Sequence, residues 1–160
     1  MPEIGKVGPW NIVGVRRAGG ILYACGKDMA RRCDLHHWDN SRIVTDAIAL
    51  LGGLKNNLYL VKDEDRYVAT FQTRVDGITL HLSKLATLPE AAGRGIGSFC
   101  LERIEAMARE AGCVRIALEV YDRSAHAVEF YRRRGFTDAG RMSTRKYTEI
   151  KMEKAVSPLG

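Results

Sequence analysis

Hydrophobic positions along this chain change period several times, and each change marks an element. Ile12-Val13-Gly14-Val15 is a short apolar run closed by Gly19-Gly20 and reads as a first strand. Leu22, Cys25, Met29 and Cys33 then recur at helical spacing, with Lys27, Arg31 and Arg32 mostly on other faces. The polar stretch His36–Ser41 leads into a second helix. Its stripe is Val44, Ala47, Ile48 and Leu51, with Ser41 as cap and Gly52-Gly53 as stop. From Asn57 the period is two: Leu58 and Leu60, a charged turn at Lys62–Asp65, then Tyr67, Ala69 and Phe71. Asp76-Gly77 is a hairpin signal that opens a third strand at Ile78.

That third strand carries Ile78, Leu80 and Leu82 on even positions, but Leu85 on an odd one. A switch of parity inside one strand predicts a bulge near Ser83–Lys84, and bulges re-aim strands beside functional sites. Beyond it the spacing predicts a helix with a stripe of Cys100, Ile104, Met107 and Ala111 flanked by Leu101 and Ala108, a Glu105–Arg109 pair and a stop at Gly112. A strand follows over Val114–Val120, then a helix over Ser124–Arg134 stopped by Gly135. Two short strands remain, around Gly140–Ser143 and Thr148–Lys154. The order β-α-α-β-β-β-α-β-α-β-β predicts one α/β domain with a mixed sheet and helices packed on its faces.

Composition narrows the field modestly. A chain of 160 residues with 46% hydrophobic and 28% charged residues fits one globular domain. It buries roughly two thirds of its unfolded surface, enough for a core without disulfides. No stretch approaches the ~18 uninterrupted apolar residues of a membrane span. Met1–Gly20 holds no apolar region followed by a cleavage site, so a cytoplasmic location is expected. Cys25, Cys33, Cys100 and Cys113 form no C-x-x-C pair and no zinc spacing, and read as reduced core residues; no metal is expected. The formal charge of +6 favours an anionic partner. The basic residues are spread along the chain, without the aromatic interleaving of a nucleic-acid stripe, and read as a well-solvated surface. A phosphate-rich cofactor would account for part of the excess.

The run Leu85-Ala86-Thr87-Leu88-Pro89-Glu90-Ala91-Ala92-Gly93-Arg94-Gly95-Ile96-Gly97 joins the irregular strand to an amphipathic helix starting near Ser98. Glycines at 93, 95 and 97 allow tight turns that expose backbone N–H groups. The first amides of a helix lack intrahelical partners and carry the positive end of its dipole. Such a segment is either a cradle for a phosphate or pyrophosphate, or a flexible connector ending at a helix start. It lacks the lysine of a nucleotide-triphosphate loop. It also has Cys100 where the dinucleotide fingerprint needs its last glycine, and it follows strands that read as antiparallel.

The stretch Leu85–Gly97 resembles the acetyl-CoA motif of the GNAT (general N-acetyltransferase) superfamily, an L-A-V-x-P-E strand end followed by [R/Q]-x-x-G-x-[G/A]. Ala92 stands at the usual Arg or Gln and Thr87 at the usual Val. A second segment, Ser124-Ala125-His126-Ala127-Val128-Glu129-Phe130-Tyr131-Arg132-Arg133-Arg134-Gly135-Phe136, is similar to the family's N-x-x-A-x-x-[F/L]-Y-x-x-x-G-F helix, with Ser124 in place of Asn. The match is specific over residues 80–154. Over 1–79 it rests on element order.

The resemblance implies a single N-acetyltransferase domain whose mostly antiparallel sheet splays between strands 4 and 5. It also implies direct transfer from acetyl-CoA to a primary amine, on a small molecule or a peptide, by attack on the thioester carbonyl and expulsion of CoA thiolate. Cofactor contacts would come from Leu85, Ala86, Thr87, Leu88, Ala92, Gly93, Arg94, Gly95, Ile96, Gly97, Ser98 and Ser124. The amides of Leu85–Leu88 would pair with the pantetheine arm and polarise the carbonyl. Tyr131 aligns with the acid that protonates the thiolate, a role suited to a phenol that keeps its proton at neutral pH. Glu119 and His81, on the polar faces of the strands flanking the splay, are candidates for the base. Both also read as ordinary strand residues. Trp38, beside His36 and His37, either lines the acceptor pocket or anchors its link. Arg132-Arg133-Arg134 either meets a nucleotide phosphate or caps its helix. A homodimer is compatible with this reading. The rivals are a non-catalytic acyl-CoA-binding module and a basic nucleic-acid-binding domain.

Overall fold

A computed structural model describes residues 1–36 and 41–157. In chain order the elements are β1 (Glu3–Val7), α1 (Ile12–Cys33), α2 (Arg42–Lys55), β2 (Asn57–Asp63), β3 (Arg66–Asp76) and β4 (Thr79–Thr87). A 3-10 turn at Pro89–Ala91 precedes α3 (Ile96–Glu110), β5 (Arg115–Tyr121), α4 (Ala125–Arg133), β6 (Thr137–Ser143) and β7 (Thr148–Ala155). The strands are hydrogen-bonded in the order β1-β2-β3-β4-β5-β7-β6. Pairs β1/β2, β2/β3, β5/β7 and β6/β7 are antiparallel, whereas β4 and β5 are parallel. This is the mixed, mostly antiparallel α/β sheet that the element order predicts. The chain forms two compact units, Met1–Arg74 with Lys84–Glu102, and Val75–Ser83 with Arg103–Gly160.

In the first unit the opening expectation is corrected. Ile12–Val15 is the start of α1, not a strand, and the first strand is Glu3–Val7, which pairs with β2 from Glu3↔Lys62 to Val7↔Leu58. The Asn11 side chain accepts the Gly14 N–H at 3.0 Å and caps the helix, which overrides the β-branched run that follows. Gly14 and Gly20 do not break α1; they let neighbours approach it. A Cβ on Gly14 would meet Val7 at 2.7 Å, and one on Gly20 would meet Arg42 at 3.0 Å. The core joins Val15, Ala18, Ile21, Leu22 and Cys25 of α1 to Leu58, Leu60 and Ala86.

α2 starts as expected, with Ser41 Oγ accepting the Val44 N–H at 3.1 Å. Its packing differs. The buried positions are Thr45, Ala49 and Gly52; of the expected stripe Ile48 is partly buried and packs against the core, while Val44, Ala47 and Leu51 are exposed. Gly52 does not stop the helix: it lies against the Gln72 side chain, and α2 runs to Lys55, closed by Asn56 N–H to Gly52 O at 2.7 Å. The polar link His36–Ser41 falls partly outside the described residues, and His37 and Trp38 are among those omitted.

The second unit is built on β5, whose Ile116, Leu118 and Val120 are buried together with Ile150 and Met152 of β7. Ile104 and Ala108 of α3 are buried, whereas Met107 is only partly covered and Ala111 is exposed, so the inward stripe of that helix is rotated from the expected one. Gly112 and Gly135 take φ of +76° and +92° and end α3 and α4 where expected. Glu105 pairs with Arg109 at 3.9 Å and also bonds Lys154.

Candidate functional site

β4 ends the regular part of the first half, and its backbone is irregular at the predicted place. Lys84 has φ +53°, a left-handed conformation that a side-chain-bearing residue rarely adopts. Beyond it the buried residue is Ala86 and not Leu85, which is only partly covered. In the second unit the parallel ladder between β4 and β5 covers only Thr79↔Arg115, Leu80↔Ile116 and His81↔Ala117, while β5 continues to Tyr121. The ladder therefore stops at His81, which is the splay between strands 4 and 5.

Within the first unit, Leu85–Ser98 forms a strand end, a 3-10 turn and a loop into α3. Thr87 is fixed from behind: the Cys25 thiol donates to its carbonyl at 3.1 Å. Burial, then the charges of Asp28 and Glu90, push that thiol up to about 12, so it stays protonated and able to donate. The amides of this segment are not all spare. Leu88 N–H donates to Val68 O at 2.8 Å and Ala92 N–H to Pro89 O at 3.1 Å. The expectation that every amide over Leu85–Leu88 faces a ligand is thus corrected at Leu88.

The loop itself has the backbone of an anion cradle. Gly93 and Gly95 take φ of +78° and +79°, and a Cβ on either would meet nothing within 4 Å. Space is open there, so it is the left-handed backbone that calls for glycine. Ile96 is buried and anchors the start of α3 in the core. The first helical bond is Phe99 N–H to Gly95 O at 3.0 Å, and the amides of Ile96 and Gly97, ahead of it, have no helical carbonyl one turn back. With the helix dipole behind them, they suit a phosphate. Two ion pairs brace the segment to the β2–β3 turn: Arg94 with Asp63 at 3.5 Å and Arg66 with Glu90 at 3.4 Å. The Arg94 charge is accordingly shared with a carboxylate.

The second unit brings both base candidates together. His81 and Glu119 lie on one face, because Glu119 is two residues beyond Ala117, the ladder partner of His81. Their side chains meet at Nε2···Oε2 2.7 Å, each about one-quarter to one-third exposed. Tyr121, next on that face, has its phenol raised above the ordinary value by burial, then by the charges of Glu149 and Tyr147. Tyr131 is buried on α4 and packs edge-on against Phe130 at 5.2 Å and Phe136 at 5.4 Å. Ser124, buried, precedes α4 and accepts the Val128 N–H through its carbonyl at 3.0 Å.

Of the arginine triplet, Arg134 alone meets a carbonyl of the last turn of its helix, and the other two pair with carboxylates. Arg134 donates to Phe130 O at 3.0 Å and lies 3.8 Å over the Phe130 ring. Arg132 and Arg133 pair with Asp138 and Glu129 at 2.9 and 3.0 Å. Among the described residues no group of three or more His, Cys, Asp or Glu side chains gathers as metal ligands. No described helix is long and apolar enough to cross a membrane.

A sequence profile of the acetyltransferase (GNAT) family matches residues 28–136, more than half of the chain. This chain belongs to that family. Solved structures agree on the fold. An aminoglycoside 6'-N-acetyltransferase complexed with coenzyme A is similar with a TM-score of 0.75 at 16% identity, over 99% of each chain. A PaiA N-acetyltransferase from Thermoplasma acidophilum, also in complex with coenzyme A, gives 0.73 at 15% identity, over 97% of this chain and 99% of that one. The ribosomal-protein-S18-alanine N-acetyltransferase from Escherichia coli gives 0.71 at 19% identity, over 100% and 97%. GNAT membership supports acyl transfer as the general chemistry and an acyl-CoA as the donor. Sequence reasoning missed Asp63 and Cys25 as supports of the loop. Neither carries a motif, and each becomes visible only once the fold brings distant segments together.

Proposed function

We propose that this protein transfers an acetyl group from acetyl-CoA to a primary amine by direct attack. The observation that carries the reading is the left-handed pair Gly93 and Gly95 ahead of the first amides of α3. In this reading the loop Ala92–Ser98 holds the pyrophosphate, and the backbone of Leu85–Thr87 receives the pantetheine arm. The thioester supplies an activated acyl carbon. Positioning donor and amine together contributes most of the rate enhancement.

The proton steps fall to side chains. The amine nitrogen forms the new bond to the acyl carbon while the carbon–sulfur bond breaks, and Tyr131 gives its proton to the departing sulfur. His81 and Glu119, hydrogen-bonded to one another, take the proton that the amine releases, with Glu119 stabilising the imidazolium. Ser124, before α4, retains a cofactor-binding role in this proposal.

A thermal-unfolding scan with acetyl-CoA, and with NAD and ATP as controls, tests the donor. Ligand at ~100 times its dissociation constant stabilises by about 2.7 kcal/mol, a shift of several degrees for a domain of this size. A shift specific to acetyl-CoA, followed by amine-dependent release of CoA thiol, is the expected result. A shift with no thiol release from any small-molecule or peptide amine leaves a binding module. No shift at millimolar acetyl-CoA overturns the reading.

A further inference from the structure

The exposed apolar face of α2 carries none of the residues assigned above to acyl transfer. Ile43, Ala47, Leu50 and Leu54 line one side of the helix, and all are exposed. Ile43 is 80% and Leu54 54% exposed. Leu51 widens the stripe. The opposite face, with Thr45, Ala49 and Gly52, is the one buried in the unit. The patch continues onto the start of α1. α1 and α2 run antiparallel, since Arg42 reaches Arg16 O at 2.6 Å while a Cβ on Gly53 would lie 3.6 Å from Pro9. Trp10, 85% exposed, and Ile12, 70% exposed, therefore flank the C-terminal half of α2.

We propose that this face is a twofold interface between two copies of this chain, with α2 packed antiparallel against its equivalent. Two arguments select a second copy. The first is size: the exposed apolar side chains amount to on the order of 700 Å². A standard interface takes about 800 Å² per partner, a little over half of it apolar, so the patch is large enough to drive association. Monomers rarely leave that much contiguous apolar surface in water.

The second argument is register. The spacings 43-47-50-54 read four, three, four in either direction. A twofold axis between positions 47 and 50 sets Ile43 opposite the partner's Leu54 and Ala47 opposite the partner's Leu50. A small residue then faces a large one at the crossing, and an isologous contact requires such reciprocity. The stripe carries no charge. At its rim Arg42 would approach the partner's Lys55, but Arg42 is already bonded to Asp46 within its own chain.

Sedimentation of the 160-residue chain at micromolar concentrations tests this. The wild type is expected at twice the monomer mass, and Leu50→Glu at the monomer mass with unchanged helical circular dichroism. Should Leu50→Glu lose helix, the more exposed Ile43→Glu carries the same test. In a Cys33→Ser background, a mixture of Ala47→Cys and Leu50→Cys chains is expected to join through a short bis-maleimide. A monomeric wild type overturns the proposal, as does a dimer that survives both glutamate variants. A dimer that fails to join position 47 to position 50 overturns the antiparallel register.

Discussion

In the proposed reaction the loop Ala92–Ser98 and the face bearing His81 and Glu119 would act by opposite means. In the loop the proposed binding groups are backbone amides, and the one charged side chain, Arg94, pairs with Asp63. What the sequence must provide there is a pair of left-handed positions and a helix that starts at once, which Gly93, Gly95 and the anchored Ile96 supply. Ala92 at the family's Arg/Gln position fits this account, since its own amide is already bonded to Pro89. On the strand face the reverse holds: the backbone is ordinary ladder, and the proposed proton transfer would rest on one imidazole against one carboxylate at 2.7 Å. Changes in the loop should therefore act on donor affinity, and changes to the proton-transfer side chains on rate.

The largest expected effect is on the rate side. Tyr131→Phe removes only the hydroxyl and keeps the edge-on contacts with Phe130 and Phe136. Losing a general acid slows turnover by about 100-fold or more. Steady-state kinetics with calorimetric titration of acetyl-CoA should show kcat falling while Kd stays put. If both move together, Tyr131 is a packing residue that shapes binding, and the division between affinity and rate fails at its strongest point.

On the affinity side the sharpest variant is Gly95→Ala. The added methyl meets no atom within 4 Å, so any effect comes from the φ of +79° alone. Holding an L-residue there costs about 1–2 kcal/mol, and relaxation of the loop to avoid that strain would turn the amides of Ile96 and Gly97 away. Acetyl-CoA should bind about tenfold more weakly, with kcat at saturating donor unchanged. Unaltered affinity would mean that the loop is a connector after all.

These differences in physical basis also explain what could be read from the chain. The turns at Gly93 and Gly95 are legible because left-handed backbone calls for glycine, whereas Gly97, read with them as part of the turn, lies in the first turn of α3. The irregularity at Lys84 was legible through the parity of its neighbours, even though the buried residue after it proved to be Ala86. His81 and Glu119 could be named, but not as a pair, because their contact follows from the parallel register His81↔Ala117. The start of the chain was misread for a related reason. Ile12–Val15 looks like a strand, yet the Asn11 cap makes it the first turn of α1. In α2 the helix was legible but its buried face was not. The inward positions Thr45, Ala49 and Gly52 are small or polar because neighbouring groups pack against them, so of the hydrophobic stripe only Ile48 reaches the core.

The smallest expected effect probes where backbone and side chain meet, at the Arg94–Asp63 pair. Its separation of 3.5 Å, with the Arg94 side chain about half exposed, puts its contribution to stability in the range of about 0–1 kcal/mol. The pair either braces the loop or restrains a guanidinium that would otherwise answer the donor's phosphates, and two substitutions separate these by sign. Arg94→Ala removes the charge and should weaken acetyl-CoA binding by up to about fivefold. Asp63→Asn keeps the polar shape but frees the guanidinium, so binding should tighten severalfold at low salt and return to the wild-type value as salt screens the exposed charge. If Asp63→Asn weakens binding as Arg94→Ala does, the pair acts as a brace. The loop would then owe its geometry to side chains as well as to glycine, and the contrast with the strand face would be one of degree.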